Sequence, residues 1–417
     1  MKNISLKAVS LSIAAVFSTS VFAEPVEITV ASFPNFNQVA EAAIPVFEKA
    51  NPDIKVKLVV LSYNDHHNLM TTALATGANL PDVMGIENAY VGRFIESGGL
   101  EDLNSDNYKA GTFTQNLIPY SVAQVTNSRG ELAGVPTDIG PGATFFRQDI
   151  LDKAGVSEED LLKSWDSFIE SGVKIKEKTG SYLLSNANDI KDIYIRSDLK
   201  PGEGIYFDTD HNVLVNSERF KEAFRLAKKA RDAGVDAELS AWSNEWSESL
   251  RRGTITVQMM GAWLGGHLED YIAPEASGLW RTSALPNHAL ASWGGSFYSI
   301  PKKAKHKEEA WRFIEFMATS PEAQLIGFKE INAFPALTST HQNPFFDEKL
   351  AYLGDQQARH VWRESAELIP AVGVDRYDPV ARQVIDDALE RVLEHDADID
   401  EVLAAAEKQI QRRARRR

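Results

Sequence analysis

The chain has 417 residues, no cysteine, and a formal net charge of −15 at pH 7. The missing cysteine excludes disulfide frameworks, thiolate-bound metals and lipid attachment through an amino-terminal Cys, and so acidic a surface argues against nucleic acid and anionic lipid as partners. The length exceeds what one hydrophobic core normally fills, so two lobes are the default expectation.

Lys2 and Lys7 form a short basic start, an apolar stretch runs from Ala8 to Val16, and Val21-Phe22-Ala23 offers a cleavage site. That is the layout of a removable secretory signal over residues 1–23, with an apolar run too short to span a bilayer. The competing reading is a buried amphipathic helix. Cleavage after Ala23 would expose Glu24-Pro25. No later stretch approaches the roughly 20 apolar residues of a membrane helix, so the mature chain is expected to be released in soluble form.

Glu27 to Ala31 alternates as a strand and runs into Ser32 to Asn35. Val39, Ala43, Val46, Phe47 and Ala50 share one face of a helix that Asn51-Pro52-Asp53 breaks. Ile54, Val56, Leu58 and Val60 alternate in a second strand, Leu69 to Ala75 is helical up to Thr76-Gly77, and Asp82 to Ile86 forms a third strand. Strand, helix, strand, helix, strand predicts parallel pairing with helices on both faces. Ligands collect at the carboxyl ends of such strands, here Pro34 to Phe36, Tyr63 to Asp65, and Glu87 to Tyr90. Helical periodicity follows over Asp166 to Lys178, Ser217 to Ala233 and Ser243 to Arg251. Ile255 to Met260 and Ser296 to Ile300 read as strands, Ser320-Pro321 starts a helix, and Val380 to Leu393 and Asp400 to Gln411 are closing helices. There is no internal repeat or low-complexity linker.

Ala73-Leu74-Ala75-Thr76-Gly77-Ala78-Asn79-Leu80-Pro81-Asp82-Val83 begins an ordered set of segments that resembles the extracellular solute-binding proteins of sugar ABC importers, the maltodextrin-binding-like family. The set continues through Gly98 to Leu103, Gly134-Val135-Pro136, Phe145-Phe146-Arg147 with Ala154-Gly155, Trp293-Gly294-Gly295-Ser296, and Lys307 to Ala323. The resemblance implies an α/β, two-lobed periplasmic-binding-protein fold, each lobe a mainly parallel sheet flanked by helices. It implies three crossings, placed near Val135 to Asp138, Ala284 to Asn287, and Asn332 to Pro335. The lobes would be residues 24–135 with 287–335, and 136–286 with 336–417. It further implies a sugar captured in the interlobe cleft, closure favoured because the ligand touches both lobes, and docking of a monomer on an inner-membrane permease with its ATPase. The expected compartment is the periplasm, and no cofactor or metal is expected.

Sugar rings have apolar faces and an equator of hydroxyls, so aromatic rings, carboxylates and amides are the side chains to seek. Among eight tryptophans, Trp242, Trp263 and Trp293 stand at strand ends or glycine-flanked turns and are candidates for the cleft; core packing is the competing reading. Trp242 and Trp246 are one helical turn apart, so one face is expected to present both. Trp165, Trp280, Trp311 and Trp362 are expected to pack internally. Glu87, Asn88 and Asp138 lie in loops to which the resemblance assigns ligand contacts. Asn35 and Asp65 follow the first two strands, although an acid near a helix start also serves as a cap. Arg376, with Tyr377, is expected either to reach the cleft from the second lobe or to lie in a solvated loop.

Other signals fail on spacing. His66-His67 is expected to point its rings apart, against a metal site. Asp208 to Asn212 opens like a calcium loop but has Val213 where Gly is needed and Arg219 where Glu belongs, which favours a hairpin turn. Gly294 to Phe297 is no nucleophile elbow, Gly140-Pro141-Gly142 fails the dinucleotide fingerprint at Phe145, and Arg412 to Arg417 suits a helix carboxyl end. A glycoside-cleaving enzyme using Glu87, Asp138 and Asp65 is the alternative function, though no motif marks an acid/base pair. The same fold carrying a polyol, a glycerol phosphate ester or a peptide is a third. The candidate loops carry acids, amides and aromatics, which favours a neutral hydroxylated ligand.

Overall fold

A computed structural model describes residues 24–197, 199–200 and 202–414; the expected signal segment and the last three arginines lie outside them. Alternation in the first fifty residues builds β1 (Val26–Ser32), with Ile28 and Val30 fully buried. Helix α1 (Phe36–Ala50) turns Phe36, Val39, Ala43 and Phe47 onto the sheet, while Val46 is half-buried and Ala50 exposed. Burying a side chain such as Phe47 contributes roughly 1.5–3 kcal/mol, and its ring meets Phe313 edge-on at 5.3 Å. Strand β2 (Ile54–Val60) pairs along one side of β1 only, so Val59 and Val60 stay exposed.

Helix α2 (Tyr63–Thr76) begins earlier than expected, because Ser62 caps it by accepting the Asp65 N–H. Tyr63 to Asp65 therefore form a first helical turn and not a strand-end loop. Strand β3 (Val83–Glu87) feeds directly into α3 (Asn88–Ile95).

The remaining strands are β4 (Val135–Arg147), β5 (Val257–Gly261), β6 (Trp280–Ser283), β7 (Ser292–Ser299) and β8 (Phe334–Pro335). The pairing order is β2-β1-β3-β7-β4-β5, with β6 and β8 also on β4. Pairing of β1 with β2 and β3 is parallel, as expected, but β7 is antiparallel to β3 and β4, and β4 is antiparallel to β5, β6 and β8. The sheets are mixed where mainly parallel ones were expected, because chain returns to the first sheet instead of continuing the strand–helix alternation.

One continuous strand, β4, belongs to both sheets. Val135 to Pro141 pair with β7, whereas Gly142 to Phe146 pair with β5. The change of sheet falls later than the expected first crossing at Val135 to Asp138, and no break in the strand marks it. Between β6 and β7 the chain passes from the second sheet to the first, and β8 joins the first sheet opposite Asp138 and Ile139.

The second lobe has its own core, with Phe146, Leu151, Phe168, Ile190 and Met259 buried together. Phe220, Phe224, Ile385, Leu389 and Leu403 bind three of its helices into a further cluster. Trp165, Trp280, Trp311 and Trp362 are all buried, as expected. Among the described residues no helix is long and apolar enough to cross a membrane.

Candidate functional site

A cavity of about 710 Å³ opens where the two sheets meet at β4, inside the range of roughly 300–1,000 Å³ for ligand pockets. Seven of the nine candidates line it: Asn35, Glu87, Asn88, Asp138, Trp242, Trp263 and Trp293.

The first-sheet wall is built from strand ends. Asn35, at φ 72°, turns the chain from β1 into α1, and Phe33 beside it packs on Phe36 and edge-on to Tyr63. Glu87 caps α3 by accepting the Ala89 N–H at 2.8 Å, and also accepts the Tyr63 hydroxyl at 2.5 Å. Burial raises its carboxyl pKa, while Tyr63 and the Ala89 N–H oppose the rise. Behind it, His67 Nε2 accepts the Glu87 backbone N–H at 3.2 Å. Its Nδ1 must therefore donate to the Tyr63 carbonyl at 2.7 Å. Burial holds this imidazole neutral, with its pKa lowered to about 3, and the ring stacks on Tyr90 at 4.1 Å. The rings of His66 and His67 do not point apart as expected: they meet edge-on at 4.8 Å, because α2 lies over β3 and both find backbone partners there. They brace the end of β3, and no metal-binding cluster occurs among the described residues.

Asp138 projects from β4 where that strand pairs with both β7 and β8. Its Oδ1, like Oδ1 of Asn88, is buried without a hydrogen-bond partner among the described residues. Burial pushes its carboxyl up to about 7. Unpaired buried acceptors are costly unless something supplies donors.

The opposite wall is aromatic. Trp263 follows β5 and donates Nε1–H to the Trp293 carbonyl at 2.8 Å. Trp242 lies nearly parallel to it, with centroids 5.9 Å apart and planes 22° apart, and is 53 % exposed. His267 touches both indoles and leads to the exposed Tyr271. Trp242 and Trp246 do not share a helix face. Trp242 precedes the helix Asn244–Arg252 in a left-handed conformation, and Trp246 is fully buried with its Nε1–H donated to Gln258. Trp293 packs on the second-lobe core and carries the Arg196 guanidinium 4.6 Å from its ring centre. It is part of strand β7, where Gly294 and Gly295 take positive φ beside a shift in register, and not of a free turn.

Two candidates lie outside the cavity. Asp65 is exposed in the first turn of α2, accepting the Ser62 hydroxyl at 2.6 Å. Arg376 is exposed and donates to the Tyr377 hydroxyl at 2.7 Å, its guanidinium stacked over that ring. Sequence reasoning missed Arg196, Tyr206, Asp378 and Arg382, which also line the cavity. The candidate loops were read as carrying acids, amides and aromatics, but two guanidiniums join them in the cavity: Arg196 from the turn after the helix Asn188–Tyr194 and Arg382 from the helix Asp378–His395. Asp378 lies in the first turn of the helix Asp378–His395, and burial raises its pKa to about 8.

A family described as bacterial extracellular solute-binding protein matches residues 42–352. The chain belongs to this family. The lactose-binding protein of Rhizobium radiobacter is 27 % identical over 411 residues, covering 94 % of this solute-binding protein and 93 % of the relative. A crystal structure of an extracellular solute-binding protein of family 1 superposes with a TM-score of 0.79 at 24 % identity, covering 93 % of this chain and 98 % of that one. The ABC-transporter-associated binding protein of B. animalis subsp. lactis Bl-04, in complex with β-1,6-galactobiose, gives a TM-score of 0.73 at 25 % identity over 93 % of this chain and 97 % of that one. These solute-binding proteins share the two-lobed α/β architecture described above.

Proposed function

We propose that this solute-binding protein captures a saccharide in the cavity between its lobes and delivers it, unaltered, to an ABC permease and its ATPase. The observation that carries this reading is the pairing of opposed chemistries across one cavity. An exposed indole stacked on a second indole faces ring surfaces, and the unpartnered acceptors of Asp138 and Asn88 await hydroxyl donors. Relatives that bind lactose and galactobiose support the ligand class. Their character as binding proteins supports capture over cleavage.

We take the lobes as residues 24–141 with 287–335, and 142–286 with 336–417, following the change of sheet along β4. Export to the periplasm as a monomer, with the signal removed near Ala23, completes the reading. Isothermal titration against a panel of mono- and disaccharides is expected to show micromolar binding or tighter, about −8 kcal/mol. Chromatography after overnight incubation is expected to recover the ligand intact. Failure to bind any saccharide defeats the reading, and cleavage products redirect it to a glycosidase.

A further inference from the structure

The cavity is chemically lopsided. Its first-lobe end offers acceptors, Glu87 and Asp138, whereas its second-lobe end gathers donors. Arg196 is held flat there: its guanidinium lies over Trp293, and Nη1 donates to the Asp192 carbonyl at 2.6 Å. Its Nε and Nη2 have no hydrogen-bond partner among the described residues. Arg382 enters from the helix Asp378–His395 and has only a long 3.8 Å contact with Asp386. Tyr206 is 2 % exposed and lines the cavity, and its buried hydroxyl has no hydrogen-bond partner among the described residues. Arg196, Lys191, Asp192 and Arg382 all act electrostatically on that hydroxyl, and Arg196, Tyr206 and Arg382 line the same cavity.

The acids nearby are already engaged. Asp192 and Asp386 both pair with the buried Lys191, at 2.7 and 2.5 Å, and Asp192 also lies 3.5 Å from the Arg196 guanidinium. Asp375 spends its two oxygens on His211 and on the Tyr377 N–H. Asp378 accepts the Asp375 N–H at 2.9 Å, and burial raises its pKa to about 8, which favours its uncharged form near neutral pH. Three cations, Lys191, Arg196 and Arg382, thus share two carboxylates, Asp192 and Asp386, and the two guanidiniums keep N–H edges free beside a buried phenol and the amino end of a helix. Guanidinium forks match the planar, two-oxygen geometry of a carboxylate, and a helix start adds favourable potential.

We propose that the second-lobe end of the cavity binds the carboxylate of an acidic sugar, so that the saccharide captured contains a uronate residue. This rests on the saccharide reading above and fixes an orientation: the carboxylate lies at Arg196 and Arg382, and the neutral hydroxyls lie at the acceptors of Glu87 and Asp138. The test is isothermal titration of the full mature protein at pH 7. The probes are galacturonate, glucuronate and digalacturonate, each against its methyl ester, together with lactose and galactose 1-phosphate. The expected result is that at least one uronate binds tenfold or more tightly than its ester and than lactose, and that this preference shrinks as salt rises. Arg196→Gln, checked by its melting curve, is expected to abolish the preference while the ester still binds. Should that variant fail to fold, Arg382→Gln and the salt series give the same readout. Lactose or the esters binding as well as every uronate overturns the inference and leaves the saccharide reading standing. Tighter binding of the phosphate overturns the carboxylate assignment. Binding of none of the probes overturns the inference, and the saccharide reading is then decided by the wider mono- and disaccharide panel.

Discussion

Trp242 stands at φ 70° ahead of its helix with 53 % of its surface open, while Trp246, one helical turn on, is sealed in the core and bonded to Gln258. Substitution at the two positions should separate binding from stability. Trp242→Ala removes a ring with little packing to lose, so stability should change by no more than about 0.5 kcal/mol. Saccharide affinity should fall on the order of tenfold, about 1.4 kcal/mol. Trp246→Ala leaves a cavity and an unpaired Gln258, and should cost about 3–5 kcal/mol. Thermal melts and titration with one saccharide check both. Residue chemistry alone could not tell these indoles apart, because local spacing places both near one helix and only the backbone turn at Trp242 divides them. Asp65 shows the same limit, since a carboxylate after a strand and a carboxylate in a helix's first turn have the same sequence context.

At the scale of elements, the meeting of β4 and β7 holds the site together. A Cβ added at Gly140 would lie 1.9 Å from the Trp293 carbonyl oxygen, and that oxygen accepts the Trp263 indole N–H. Gly140→Ala must therefore force the strands apart. We expect a loss of about 1–3 kcal/mol from overpacking, together with weakened saccharide binding and altered tryptophan fluorescence as the Trp263–Trp293 bond is disturbed. A glycine-to-alanine change at Gly180, where a Cβ would meet nothing, is the control for backbone strain alone at its positive φ. Chain-order reading located β1 to β3 closely, since their period-2 pattern and turn residues are local. It placed β7 too late, starting it after Trp293 instead of at Ser292, because two glycines at positive φ within a strand look like a turn until their partner strand is known.

Across the whole molecule, α3 of the first lobe meets the segment before the helix Asp378–His395 of the second with almost no clearance. A Cβ at Gly92 would stand 2.5 Å from the Asp375 carbonyl oxygen. Gly92→Val should wedge the lobes apart and disfavour the closed state. Small-angle scattering is expected to give a larger radius of gyration in saturating saccharide than the unsubstituted protein shows, with affinity lowered on the order of tenfold. Equal radii and equal affinities would show that this contact does not limit closure.

By itself the sequence determined what is local or compositional: the α/β class, the expectation of two lobes, the packing of four tryptophans, and cavity residues such as Asn35 and Trp263 at strand ends, while the resemblance pointed to Glu87, Asn88 and Asp138. Hydrophobic period and turn chemistry report on neighbours along the chain, which is why these were readable. Only the tertiary structure decided that the sheets are mixed, that β4 changes sheet at Gly142, and that Arg196, Tyr206, Asp378 and Arg382 converge on one end of the cavity. Those groups come from helices and loops nearly two hundred positions apart, and no periodicity encodes which helix ends a folded chain brings face to face.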